Sequence, residues 1–213
     1  SYTVQAGDSS ADLDYLSTSA LSLNSGSIVD GSGNAAILTL PSGANSLAAN
    51  AALVVDTTSP TVTAVDSTSV AGTYMIGDSI NITVNFDEVV TVTGLPQITL
   101  ETGSTDQVVN YVSGSGSNAL IFSYTVQDGD SSSDLDYLST TALSLNSGTI
   151  LDGAGNAATL TLATPGQAGS LSANEGLVVD GIAPLVTTVQ ATTADGSYKA
   201  GDVIDITVSF NDT

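Results

Sequence analysis

Carboxylates are the side chains of this sequence whose number and spacing could do chemistry. Twenty-two acidic residues face a single basic one, Lys199, and there is no His or Cys. Three acidic groups recur along the chain. Asp130, Asp134 and Asp136 are matched by Asp8, Asp12 and Asp14; Asp152 with Asn156 in DGAGN is matched by Asp30 with Asn34 in DGSGN. Asp87 and Glu88 are matched by Asn211 and Asp212, and the acids Asp56 and Asp180 each stand just before a short Pro-containing segment, TTSP or GIAP. Carboxylate and amide oxygens without imidazole or thiolate select hard cations, so the expected ion is Ca²⁺ rather than zinc, copper or iron. An EF-hand starting at Asp128 is rejected, because its sixth position is Ser133 rather than Gly and its twelfth is Ser139 rather than Glu. The competing reading of the same residues is structural: Asp and Asn in loops make Asx-turns and cap strand ends.

The same inventory argues against catalysis. Without His or Cys, most nucleophile–base and acid–base pairs are out of reach. Paired carboxylates could hydrolyse a glycosidic bond. Acids that return in every copy of a repeat, however, suit a joint better than an active site, and no enzyme or small-molecule substrate is expected. Glycan binding would call for stacking aromatics, and the chain has no Trp and 5% aromatic residues.

A net charge of −21 repels nucleic acid and anionic membrane surfaces. No apolar run approaches the roughly 20 residues of a spanning helix, so no membrane insertion is expected. Lack of cysteine does not fix the compartment, since metal staples can replace disulfides in secreted proteins.

The elements that must position these acids are set by a repeat. Residues 1–18, SYTVQAGDSSADLDYLST, return at 123–140 as SYTVQDGDSSSDLDYLST, and residues 54–88 return at 178–212. A period of this size exceeds that of solenoid repeats and suits whole domains in tandem. The phase predicts a complete module over 56–180, the C-terminal part of a preceding module over 1–55 and the opening of a following one over 181–213. Apolar residues alternate with polar ones at Ile80, Ile82, Val84 and Phe86, and again at Leu120, Phe122, Tyr124 and Val126. That period is a strand's. Strands are expected near 61–65, 79–86, 97–100, 107–112, 119–127, 141–150, 157–162 and 176–179, with Gly, Ser, Asn and Asp turns between them and no helical stripe. The fold class is therefore all-β, as antiparallel β-sandwich modules. With strands reversing in order, Asp87, Glu88, Asp152 and Asn156 fall in loops at a module's N-terminal end beside Asp56. Asp130, Asp134 and Asp136 fall at the opposite end, facing the next module past Asp180. One junction then gathers Asp8, Asp12, Asp14, Asp56, Asp87, Glu88, Asp152 and Asn156.

The succession DTTSPTV (56–62), GDSINITVNF (77–86), SGSG (113–116), FSYTVQDGD (122–130), DLDYL (134–138) and DGAGNAA (152–158) resembles the bacterial immunoglobulin-like, cadherin-like tandem repeats of giant secreted surface adhesins. The resemblance covers the whole chain. It implies an extracellular location at the bacterial cell surface, an extender or stalk role, calcium at module junctions, and as partners the neighbouring modules of the same chain or identical chains. A repeat subunit of an extracellular filament, sheath or surface layer is the alternative that the sequence leaves open.

Overall fold

The computed structural model of the chain describes residues 1–211, so Asp212 lies outside the described residues. It is an all-β fold: strands dominate, nearly all pairings are antiparallel, and the helices are single turns. The strands are β1 (Val62–Ser67), β2 (Gly72–Met75), β3 (Ser79–Thr93), β4 (Gln97–Glu101), β5 (Gln107–Ser113), β6 (Ser117–Thr125), β7 (Ser131–Ser132), β8 (Asp136–Tyr137), β9 (Leu143–Ser144), β10 (Thr149–Leu151), β11 (Leu177–Asp180), β12 (Val186–Ala191) and β13 (Ile206–Phe210). Eight of them form one sheet along the order β1-β3-β6-β5-β4-β8, with β10 also on β3 and β9 on β4. A second sheet runs β2-β11-β7, in which β2 and β11 are parallel, and β12 with β13 makes a third. Among the described residues no helix is long and apolar enough to cross a membrane.

The chain divides into two compact units, Ser1–Ser59 with Gly153–Asn156, and Pro60–Asp152 with Ala157–Thr213. The second unit carries the core. Ile80, Ile82, Val84 and Phe86 of β3 and Leu120, Phe122 and Tyr124 of β6 are buried, as their alternation demands, together with Ile98, Leu100, Leu135, Tyr137, Ile150, Leu177 and Val179. These strands form because every second side chain leaves water. Polar partners such as Asn81 and Asn85 stay at the surface or half-buried.

Three expected elements take a different course; the strand expected at 157–162 is reduced to isolated bridges at Ala157 and Thr159. β3 does not stop at Phe86 but continues to Thr93. Its first half lies between β1 and β6, its register with β6 shifts between Asn85 and Val90, and its end pairs with β10. Asp87 and Glu88 therefore sit within a strand, at the irregularity where it leaves one partner for another, and not in a loop. The expected strand at 141–150 is cut into β9 and β10 by a tight turn. Asn146 and Ser147 both hold positive φ, 45° and 64°, and Gly148 N–H closes on the Leu145 carbonyl at 2.7 Å. Two successive left-handed residues make the turn whose twist matches a hairpin. Gly148 is required for packing as well: a Cβ there would lie 2.3 Å from the Thr93 carbonyl oxygen.

The first unit is mostly irregular. It has a 3-10 turn at Gly43–Asn45, a one-turn helix α1 at Leu47–Asn50 capped by Ser46, and bridges pairing Ser10 with Val55 and Val29 with Ala35. Its capped turn is repeated in the second unit as α2, Leu171–Asn174, capped by Ser170. Within the second unit, β12 and β13 repeat β1 and β3. Val186 opposes Phe210 as Val62 opposes Phe86, and the register shifts at the same place, between Val186 and Thr188 as between Val62 and Ala64.

Candidate metal-binding carboxylates

Asp130 is buried and fully engaged by protein donors. Its Oδ2 accepts the Tyr124 hydroxyl at 2.5 Å and Gln127 N–H at 2.8 Å, and its Oδ1 accepts Gln107 Nε2 at 2.8 Å. Asp136, also buried, accepts Tyr137 N–H at 2.8 Å, Gly166 N–H at 2.9 Å and Ser172 Oγ at 2.7 Å. Both carboxylates satisfy the backbone of a strand-to-loop passage, and each holds a core tyrosine nearby. Tyr137 spans farther still, donating to the Ala163 carbonyl at 2.6 Å. Asp134 between them is exposed.

The earlier copy repeats the local bonds. Asp8 Oδ2 accepts the Tyr2 hydroxyl and Gln5 N–H, Asp14 accepts Tyr15 N–H, and the Tyr15 hydroxyl donates to Pro41. Asp12 accepts Leu53 N–H at 3.3 Å. Asp30 accepts Ser32 N–H, Asn34 N–H and Asn34 Nδ2, which hold its carboxyl below the usual range. Asp56 accepts Thr58 N–H as Asp180 accepts Ile182 N–H. Asp87 accepts Thr61 N–H and Thr61 Oγ1, which lower its pKa, and Asn211 takes Leu185 N–H in the same way. The Asx-turn and capping reading thus accounts for Asp8, Asp14, Asp30, Asp87, Asp130 and Asp136 as fold-making groups. Among the described residues, neither Asp8, Asp12 and Asp14 nor Asp130, Asp134 and Asp136 brings three carboxylate oxygens within 4.8 Å of one another.

Glu88 and Asp152 are brought together. They come from positions 64 residues apart, and their carboxylate oxygens lie within 4.8 Å of each other in the second unit. Glu88 is half-buried and Asp152 buried. They meet because β10, which ends at Leu151, pairs with the end of β3 just past Glu88. Adjacent side chains on a strand point to opposite faces, so Asp87 turns to Thr61 while Glu88 turns toward Asp152. In the first unit Asn156 Nδ2 donates to the Asp56 carbonyl at 3.2 Å, and Asp56 shares a shallow cavity with Gly153 and Ala154.

The partners Thr61, Gln107, Gln127 and Ser172 were not foreseen from the sequence. A signal for the local ones was present: YTVQ-x-GD is unchanged between residues 2–8 and 124–130, the spacing of a tyrosine, a backbone donor and the aspartate that binds both.

Two predictions follow from these bonds. Asp130→Asn keeps the shape but turns an amide N–H₂ toward donors, and is expected to cost about 1–3 kcal/mol in chemical denaturation; an unchanged midpoint would show the three bonds to be dispensable. Burial, then the Asp130 hydrogen bond, pushes the Tyr124 hydroxyl far above its ordinary value, and burial with the nearby Asp136 charge pushes Tyr137 up to about 12. An acid whose folded pKa is raised binds its proton more tightly when folded. This stability is intact below the unfolded tyrosine value of about 10 and is lost as pH rises through about 12. Melting temperature should hold flat to about pH 10 and then fall, with the Tyr124 and Tyr137 hydroxyls, followed by site-specific ring labelling, ionising only as the fold is lost. Ionisation of either of these two hydroxyls near pH 10 in a fold still intact would contradict it.

The chain matches no protein-family model, no curated protein and no solved structure.

Proposed function

We propose that this chain is an extender segment of a large bacterial surface adhesin, built of tandem immunoglobulin-like β-sandwich modules and stiffened by calcium where modules meet. Its work is structural and not catalytic, its place is the extracellular face of the cell, and its partners are neighbouring modules. The observation that carries this reading is the recurrence of one set of hydrogen bonds in successive copies: Tyr2–Asp8 and Tyr124–Asp130, Asp14–Tyr15 and Asp136–Tyr137, Asp56–Thr58 and Asp180–Ile182. A repeat conserved down to its turn-making bonds behaves as a unit to be copied.

Glu88 and Asp152 are the proposed heart of the calcium site. The donor set is all oxygen, as calcium requires, and oxygens on one Ca²⁺ at 2.3–2.6 Å can stand up to about 5 Å apart. The 4.8 Å separation limit of Glu88 and Asp152 fits that span. Two carboxylates this close, one of them buried, repel each other, and a cation between them relieves that repulsion.

Small-angle X-ray scattering of a several-module array in calcium and in chelator tests the reading. A longer, narrower particle in calcium supports a stiffened spacer, and identical profiles would remove the stiffening.

A further inference from the structure

The chain enters its two linkers in the same register and leaves them differently. Val179 of β11 opposes Ser132 as Val55 opposes Ser10. One residue past the linker acid the copies part, with Gly181 where the earlier one has Thr57. Gly181 is buried and shares main-chain bonds with two loop residues: its N–H donates to the Asp130 carbonyl at 2.7 Å, and its carbonyl accepts Gly129 N–H at 2.9 Å. Two residues against one is the count of a β-bulge. No side chain fits there, since a Cβ on Gly181 would lie 2.3 Å from the Gln127 carbonyl oxygen and 2.8 Å from that of Asp130. Thr57 meets the same loop with its hydroxyl. Its Oγ1 accepts Gly7 N–H at 3.0 Å and donates to the Asp8 carbonyl at 3.0 Å; Gly7 and Asp8 are the counterparts of Gly129 and Asp130. One hydroxyl can fill both roles because it is donor and acceptor at once. Gly7 and Gly129 share a φ of 91°, so the loop turns alike in both copies and the linker residue is what differs.

We propose that the residue after the linker acid is a clamp with two settings, which fixes how the chain departs from the preceding loop. Glycine seats the linker's main chain directly on the loop, and threonine holds that main chain off by the length of its side chain. The glycine setting has no rotatable side-chain bond between linker and loop, whereas the threonine bridge turns about χ1. Neither setting needs a metal, so the clamp is separate from the calcium site proposed above. In an array, glycine and threonine at this position give joints of different exit direction. That consequence rests on the tandem-module reading; the clamp itself does not.

Amide exchange in the whole chain, resolved residue by residue, tests the clamp. The N–H groups of Gly7, Gly129 and Gly181 should all exchange slowly in the native chain. Gly181→Thr should push the main chain off the loop and recreate the Thr57 bridge: Gly129 stays protected, while exchange at position 181 speeds up about tenfold or more. Gly181→Ala has a Cβ and no hydroxyl, and should release both. Thr57→Val keeps the shape without the hydroxyl and should release Gly7. Unchanged protection in β3 and β6 shows that each loss is local. Equal behaviour of Gly181→Ala and Gly181→Thr, or a Gly7 amide already unprotected in the native chain, overturns the proposal. Exit direction is read separately. The chain has no cysteine, so spin labels at Ser104→Cys and Gln190→Cys, both exposed positions, report the distance from the module to the segment beyond its linker. Gly181→Thr should move the maximum of that distance distribution, and a distribution identical to the native one would overturn the two settings.

Discussion

Ile82→Ala is expected to cost about 2–5 kcal/mol, whereas Ile206→Ala, the same substitution one repeat later, should change stability by less than about 0.5 kcal/mol. Both residues stand in the motif GD-x-I-x-I-T-V-x-F, and their strands pair in the same register, β3 with β1 and β13 with β12. The difference is in what covers them. Ile82 is fully enclosed by a core that includes Phe122, Val84 and Leu120, so truncation removes apolar burial and leaves a cavity. Ile206 is 66% exposed, and its side chain has little buried surface to lose. The midpoint of denaturant unfolding, followed through the main transition, reads both. Equal losses would mean that residues 181–211 possess a core of their own in solution.

That contrast also marks what could be read from the sequence. Alternation at Ile80–Phe86 and Leu120–Val126 located β3 and β6 because period two survives wherever one face is buried. The repeat aligned β12 with β1 and β13 with β3 before any coordinates. The length of β3 was not legible, since Asp87 and Glu88 look like the end of a strand when they occupy a shift in register within one. Nor was the break between β9 and β10: Asn146 and Ser147 adopt left-handed conformations that LNSG only weakly advertises compared with Asn-Gly. For the acids, sequence spacing grouped Asp130, Asp134 and Asp136, but the fold spends Asp130 and Asp136 on local donors. The pair that does meet, Glu88 and Asp152, joins residues distant in sequence, and β3–β10 pairing is what unites them.

Calcium at that pair should raise the melting temperature. Binding to the folded form alone contributes about 2.7 kcal/mol when free ion exceeds its dissociation constant a hundredfold, which for a domain of this size is a rise of about 5–10 °C. Extracellular modules bind calcium with dissociation constants of roughly 10⁻⁴ to 10⁻³ M, so the response should begin below millimolar ion and be reversed by chelator. The paired variant Glu88→Gln with Asp152→Asn should abolish the calcium-dependent part of the rise. Its melting temperature without calcium is a separate matter: relieving repulsion between two close carboxylates raises it, while loss of a buried charge's partners lowers it. For that reason the quantity to compare is the difference between calcium and chelator, measured for each protein. Glu101→Gln with Asp106→Asn is the matched control, removing the same charge from positions outside the Glu88–Asp152 pair, and should keep the full response. Magnesium at equal concentration should substitute poorly, because it demands tighter octahedral geometry and dehydrates reluctantly. If the control variant loses as much of the response as the Glu88–Asp152 variant, calcium is acting on the net charge of −21 as a diffuse counterion, and the site does not exist.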